Sequence, residues 1–470
     1  MTAVPTWIRA LPARYGRRTL VALALIVVLG LGLRASAVVH PVANPADDSH
    51  AYYGLAKALY EEGSFGGPEF HDSSDWSPGA PLLYAASFYA TGGAREGTAR
   101  IVEALLGVAA ILVVFALGER LGGRGTARGR WTGLLAALGV AVYPAFIHST
   151  GELMSEPPAI LTLPASVLAF LWAGEKERWW GWLVPGFLFG LTAMFRPEYL
   201  FVAAVFVVLA AIRIWAAQRG ARPALAGAGA LLVAILVAVV PWTIRNLIVL
   251  ERLVPISTGS GKALYVGSYY PADGEYQRVK AILYERYEGK SLPPNSEALN
   301  EVNPTPLFDR VAREYDEERA ERGEPLLSRD SALGKLGKED FSKYFGEDPL
   351  AYLGMTARKI GRMWSSGVGE LMSSTPGRVI QILLVLAGLA GFALLGLCRR
   401  WWELASLATP IVIVTAVGAI SLAAPRRNEV LMTLVFPLAA LALSSAVSAL
   451  SSRREWSPPQ SPAPASSRPS

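Results

Sequence analysis

Ten apolar blocks, each about 17–22 residues long, punctuate this chain, and that is the length a helix needs to cross roughly 30 Å of hydrocarbon. They run over 19–39, 98–118, 131–149, 153–173, 179–195, 197–216, 224–242, 377–397, 403–424 and 428–449. In lipid, only helices and closed barrels satisfy their own backbone hydrogen bonds. Blocks this long, without the alternation of a barrel strand, predict helices. Composition agrees: 52% of residues are hydrophobic and only 17% charged, against about 25% charged in a soluble domain, and mean hydropathy is +0.34. The expected fold class is an all-α polytopic membrane protein with about ten transmembrane helices.

The net charge of +6 does not point to nucleic acid. Its surplus sits in short loops, Arg120 to Arg130, Arg213 to Arg222 and Arg399-Arg400, where cytoplasmic basic residues set topology. Putting these loops and the Arg-rich N-terminus inside gives a consistent threading with both ends cytoplasmic. It requires Pro78 to Thr91, with only about 13 apolar residues, to be a partial insertion rather than a span. Arg14, Arg17 and Arg18 before an apolar run ending in Ala35-Ser36-Ala37 resemble a signal peptide. The run is long enough to span, however, and is expected to stay as a first helix although Arg34 interrupts it. The lone Cys398 has no partner for a disulfide.

On this threading, charges gather at the outer ends of the spans: Asp47 and Asp48 after the first, then Glu103, Glu152, Glu156, Arg196, Glu198, Arg245, Arg426 and Arg427. Ionisable groups at a membrane face are costly and mark function. Asp48, Tyr52 and Ala56 are spaced for one face of a helix, so Tyr52 supports a carboxylate held in place. Asp48 can accept a proton from a hydroxyl. Alternatively Asp47, Asp48 and Glu156 can supply oxygens to a divalent ion, Mg or Mn. Arginine forks suit phosphate oxygens, which makes Arg245, Arg427, Arg426 and Arg196 candidates for a phosphate contact.

Other signals are weaker. Gly259-Ser260-Gly261-Lys262-Ala263 has part of a phosphate-loop pattern, but lacks its first glycine and the hydroxyl residue after the lysine. Lys262 is kept as a supporting cation. His50, His71 and Asp72 fit no established metal spacing. The tryptophans at helix ends form an aromatic belt.

Several stretches together resemble bacterial members of the GT-C superfamily, close to the protein O-mannosyltransferase and lipid A aminoarabinose transferase group. They are Pro45-Ala46-Asp47-Asp48-Ser49-His50-Ala51-Tyr52, Ser77-Pro78-Gly79-Ala80-Pro81-Leu82, Glu152-Leu153-Met154-Ser155-Glu156-Pro157 and Phe195-Arg196-Pro197-Glu198. Pro241-Trp242-Thr243-Ile244-Arg245-Asn246, Val254-Pro255-Ile256-Ser257-Thr258, Leu264-Tyr265-Val266-Gly267 and Pro425-Arg426-Arg427 with Pro437 complete the set. The resemblance implies a GT-C type fold, a polyprenyl-phosphate sugar donor, catalysis at Asp48 or Asp47, a supporting acid at Glu156 and phosphate contacts from arginines. Ser268 replaces a common Asn, and no lysine stands beside Pro78 as in the aminoarabinose branch, so the acceptor stays open between glycan, lipid and protein.

The expected protein is therefore a glycosyltransferase of the plasma (inner) membrane, with its active site extracytoplasmic and no nucleic-acid partner. Its expected parts are a catalytic transmembrane module over 1–242 with an outer loop at 40–100, an extracytoplasmic α-rich region over 243–376, C-terminal helices over 377–450 and a disordered cytoplasmic tail over 451–470. A lipid flippase or transporter is the competing class, but those carry midplane charges and paired repeats. Neither is visible here.

Overall fold

The computed structural model describes residues 15–42, 47–66, 74–176, 178–218 and 220–454. The side chain of Asp47, residues His71 and Asp72, Pro45-Ala46 of the first-loop stretch, and the tail beyond 454 lie outside the described residues. Twenty α-helices and two short 3-10 turns make up the described regular structure. In chain order they are α1 (Arg17–Val39), α2 (Asp47–Glu61), α3 (Gly79–Thr91), α4 (Glu96–Gly122), α5 (Ala127–Val142), α6 (Pro144–Thr150) and α7 (Glu156–Ala173). A 3-10 turn (Trp179–Trp182) leads into α8 (Leu183–Phe195), α9 (Tyr199–Gln218) and α10 (Ala221–Leu250). Then come α11 (Ser260–Ser268), α12 (Tyr276–Glu288), α13 (Glu297–Asn300), α14 (Thr305–Glu321), α15 (Arg329–Glu347), α16 (Pro349–Ser365) and α17 (Glu370–Ser373). The last three are α18 (Thr375–Leu397), α19 (Trp401–Ile420) and α20 (Pro425–Arg454).

Among the described residues, eight helices are long and apolar enough to span, the bent pair α5 and α6 makes a ninth, and Trp179–Phe195 is a shorter apolar helix. All ten expected blocks are therefore helical. Leu25, Val28, Leu225, Ile248, Leu383 and Val412 point outward on these helices, which lipid would cover. The Pro78 to Thr91 segment is a single 13-residue helix, α3, too short to cross. One boundary moves: α10 does not end at 242 but runs on through Pro241 to Leu250.

The 49° bend between α5 and α6 follows from Pro144, which has no N–H to give to the carbonyl of Val140. Arg34 fills the vacancy. It is fully buried, donating from Nη2 to Val140 O at 3.0 Å and from Nη1 to Ala141 O at 3.2 Å. Gly107 makes room, because a Cβ there would fall 2.2 Å from Arg34 Nε. The arginine that interrupts the first apolar run is thus the clasp that joins α1 to the break in α5.

Between α10 and α18 the chain builds a separate small core from Tyr265, Val279, Leu283, Phe308, Val311, Tyr315 and Leu333. The charged stretch Arg310 to Lys343 falls on α14 and α15, whose apolar faces enter that core. Helix α16 buries Tyr352, Met355, Lys359 and Met363 on one face and packs against α19 and α20. Lys359 on that face is buried, with Nζ donating to Gly267 O at 2.7 Å and Ala419 O at 3.0 Å.

Candidate active site

Asp48 lies in the first turn of α2, beside a third buried cluster of Tyr52, Ala56, Ala80, Tyr84, Phe88 and Met154. One carboxylate oxygen accepts from Arg426 Nη1 at 2.9 Å and the other from the Trp76 indole at 3.4 Å. Burial alone would raise this carboxyl, but the charge and hydrogen bond of Arg426, with the charge of Lys262, hold it below the usual carboxylate range. Tyr52 sits one turn on, its hydroxyl 3.3 Å from Ser77 Oγ. Ser77 in turn donates to Phe195 O at 2.6 Å, tying the entry to α3 to the end of α8.

Glu156 begins α7, where the helix dipole favours an anion and Pro157 occupies an early helical position. It is 1% exposed and holds two arginines, accepting from Arg426 Nε at 3.0 Å and from Arg196 Nη1 at 2.5 Å. Arg196, at the end of α8, also donates to Glu198 at 2.9 Å. Arg427 approaches the same Glu198 at 3.8 Å, and its Nη1 is buried without a hydrogen bond among the described residues. Arg426 and Arg427 stand in the first turn of α20, the end of a helix that repels cations. Carboxylates from three other parts of the chain offset this cost.

Arg245 lies elsewhere. It donates to Phe65 O at 2.8 Å and stacks 5.0 Å from the Trp242 ring, in a neighbourhood different from that of Glu156. Lys262 lines a cleft of about 230 Å³ together with Asp48, Tyr52, Asp75, Trp76 and Arg329. Its helix, α11, receives the carboxylate of Asp330 on the N–H groups of Gly261 (2.8 Å) and Lys262 (3.3 Å). The position where a phosphate loop would hold its anion is therefore taken by a side chain of the protein itself.

A divalent ion shared by Asp48 and Glu156 would have to displace a guanidinium, and the side chain of Asp47, the third expected ligand, lies outside the described residues. Arg426 donates to both Asp48 and Glu156, so a guanidinium occupies the place an ion would need. Among the described residues no three His, Cys, Asp or Glu groups are close enough to share one.

Several neighbours escape a reading of the sequence. Trp76 and Asp75 come from a loop read only for its prolines, and Asp75 is ion-paired with Arg329 across the cleft. Glu429, buried on α20, accepts from the Ser149 hydroxyl. Its spacing three residues beyond Arg426, near one helical turn, was the available signal. Glu103, already read as a span-end charge, is buried and accepts from Tyr84 and from the N–H of Met154.

Comparison with known proteins bears on the fold and on part of the sequence. Residues 75–244 match the model of the dolichyl-phosphate-mannose-protein mannosyltransferase family. No curated protein matches the chain by sequence. The archaeal oligosaccharyltransferase AglB from Archaeoglobus fulgidus, solved with an inhibitory peptide and a dolichol-phosphate, superposes with a TM-score of 0.53 at 14% identity, over 93% of this chain and 51% of that one. This chain thus spans about half the length of AglB. ArnT from Cupriavidus metallidurans, solved bound to undecaprenyl phosphate, gives a TM-score of 0.37 at 14% identity, over 91% of this chain and 79% of that one. The chain is a multi-pass helical membrane protein with the GT-C fold, and residues 75–244 carry the sequence pattern of the mannosyltransferase family.

Proposed function

We propose that this protein transfers a sugar from a polyprenyl-phosphate donor to an acceptor hydroxyl, on the extracytoplasmic face of the membrane. The observation that carries the reading is the placement of Asp48. Its carboxylate lines an open cleft while Arg426 holds it ionised against a buried ring of carboxylates and arginines at the ends of spanning helices. The mannosyltransferase-family match and the GT-C fold support the same chemistry.

In this mechanism the acceptor oxygen bonds to the anomeric carbon as its proton passes to Asp48. The bond from that carbon to the phosphate oxygen breaks, and the polyprenyl phosphate leaves with the electron pair. A single displacement inverts the anomeric centre. Arg427, with donor capacity unspent on its neighbours, and Arg426 and Arg196 beside it, offset the leaving phosphate's charge. The ring of charge lies where an amphiphilic donor would place its phosphate, with the polyprenyl chain in lipid.

The test is Asp48→Asn in purified protein given a labelled polyprenyl-phosphate sugar and membrane extract as acceptor. Loss of a general base removes about 10²–10⁴-fold of rate, while Asn caps a helix about as well as Asp. Transfer at near wild-type rate would sink the role of Asp48. Sidedness is read separately: an impermeant thiol reagent should label cysteines placed in 260–340 on intact cells, and cysteines near Arg124 only after permeabilisation.

A further inference from the structure

At the opposite end of the helices that build the Asp48 site lies a second cleft, of about 400 Å³, lined by Gly174, Lys176, Arg178, Trp179, Trp182 and Arg213 among others. Glu156 starts α7 and Gly174 follows its end, so at 1.5 Å per residue the two sites stand roughly 27 Å apart, close to the depth of a hydrocarbon core.

The cleft is built around one guanidinium. Arg213 lies over the rings of Phe170 (6.0 Å) and Trp402 (5.4 Å), and its Nη1 is shielded from solvent with no hydrogen-bond partner among the described residues. Gly174 exists to admit it: a Cβ there would fall 2.0 Å from Arg213 Nε. Glu175 also lines the cleft, and both it and Glu403 are ion-paired with other cations. Glu175 holds Arg120 and Arg124 at 2.5 and 2.8 Å, and Glu403 holds Arg400 at 2.9 Å. Lys176 and Arg178 lie over the rings of Trp172 and Trp180 and remain exposed at the rim. A half-buried fork with an unspent donor, two exposed cations and a rim of tryptophans at the end of spanning helices match an anionic phosphate ester on an amphiphile.

We infer that this cleft binds the phosphate of an anionic phospholipid in the leaflet opposite the Asp48 site. It is independent of the transfer reaction, since no residue is shared. The test uses the full chain purified in detergent, exposed to phosphatidylglycerol or phosphatidylcholine, with bound lipid counted by native mass spectrometry. Wild type should retain phosphatidylglycerol in preference to phosphatidylcholine. Each basic residue removed should weaken that retention roughly five-fold, so Lys176→Gln with Arg178→Gln, both at the exposed rim, should lower it about twenty-five-fold with the melting temperature in lipid-free detergent unchanged. Arg213→Gln should abolish the preference. Unchanged phosphatidylglycerol retention in the rim double variant and in folded Arg213→Gln would overturn the site. Displacement of the lipid by millimolar inorganic phosphate would assign the cleft to a free anion and overturn the lipid assignment.

Discussion

Asp48 and Arg426, separated by 378 residues in the chain, meet at 2.9 Å. The same guanidinium reaches Glu156 at 3.0 Å, so one side chain of the last helix links α2 to the start of α7. Removing it leaves two carboxylates facing each other, one of them buried. Loss of one partner of a buried pair costs about 3 kcal/mol at the low end of the usual range, the low end because Arg196 still holds Glu156. Arg426→Gln should therefore melt earlier, and adding Glu156→Gln should restore part of the loss. Equal melting of the single variant and wild type would remove Arg426 from its linking role.

The same contact sets a pH response. With its folded pKa lowered, the Asp48 carboxylate contributes stability that is present above the ordinary carboxyl pKa and lost as pH falls through the folded value. Transfer should accordingly show no acid limb from Asp48 between about pH 5 and 8. In Arg426→Gln the burial penalty remains without its counter-charge, and the limb should move upward in pH. A profile of kcat/KM against pH that does not move would contradict this.

Trp76 offers a gentler probe. Its indole donates to Asp48 over 3.4 Å, a long bond to a charged group. Trp76→Phe keeps the ring and removes the donor, so kcat should fall by about two- to ten-fold with little change in melting. An unchanged kcat would mean that the ring, not the bond, positions the carboxylate, and a fall as deep as that of Asp48→Asn would mean that the carboxylate depends on this bond far more than a long contact accounts for.

Lys359 predicts a stability profile of the same sense in an alkaline window. Burial first, then the charges of Arg362 and Arg427, lower its pKa to about 8. Between about pH 8 and 10 the unfolded chain binds more protons than the folded one, so this group makes stability rise with pH. A neutral amine still has two protons for the carbonyls of Gly267 and Ala419. Thermal unfolding from pH 7.5 to 10 should show this rising contribution in wild type and lose it in Lys359→Met. Parallel profiles would refute it.

Arg34→Met should leave the carbonyls of Val140 and Ala141 unpaired in a dry interior. Each such group costs about 1–3 kcal/mol. The variant should show faster amide exchange in residues 140–150, and unchanged exchange there would show that the break closes without the arginine.

The helical content was readable because each apolar block is as long as the bilayer is thick, and α7 and α20 announce themselves through Glu156-Pro157 and Pro425-Arg426. Arg196, Arg426 and Glu156 were identifiable because a charge at a span end has few uses. Their pairing was not, since the contact of residues 48, 156 and 426 depends on how α2, α7 and α20 pack, which no local pattern encodes. Arg245 shows the converse: it stands near a proline at a span end as the others do, yet the continuation of α10 to Leu250 carries it to Phe65. Trp76, Asp75 and Glu429 gave weak signals because a single polar residue in a loop or in an apolar helix has too many possible partners.

The clasp at Arg34 also orders events during synthesis. Its acceptor Val140 follows 106 residues later, and at about 5–20 residues per second that separation is roughly 5–20 s of translation. Through that interval the first helix holds a cation that has the Gly30 carbonyl of its own helix as acceptor, at a cost below the roughly 2.5–3.5 kcal/mol of an arginine at a helix centre, since Arg34 lies near the end of α1. The helix therefore commits to the membrane only when its partner emerges. Nascent chains stalled before α5 should show α1 still exchanging out of the bilayer, and chains stalled after α6 should show it fixed.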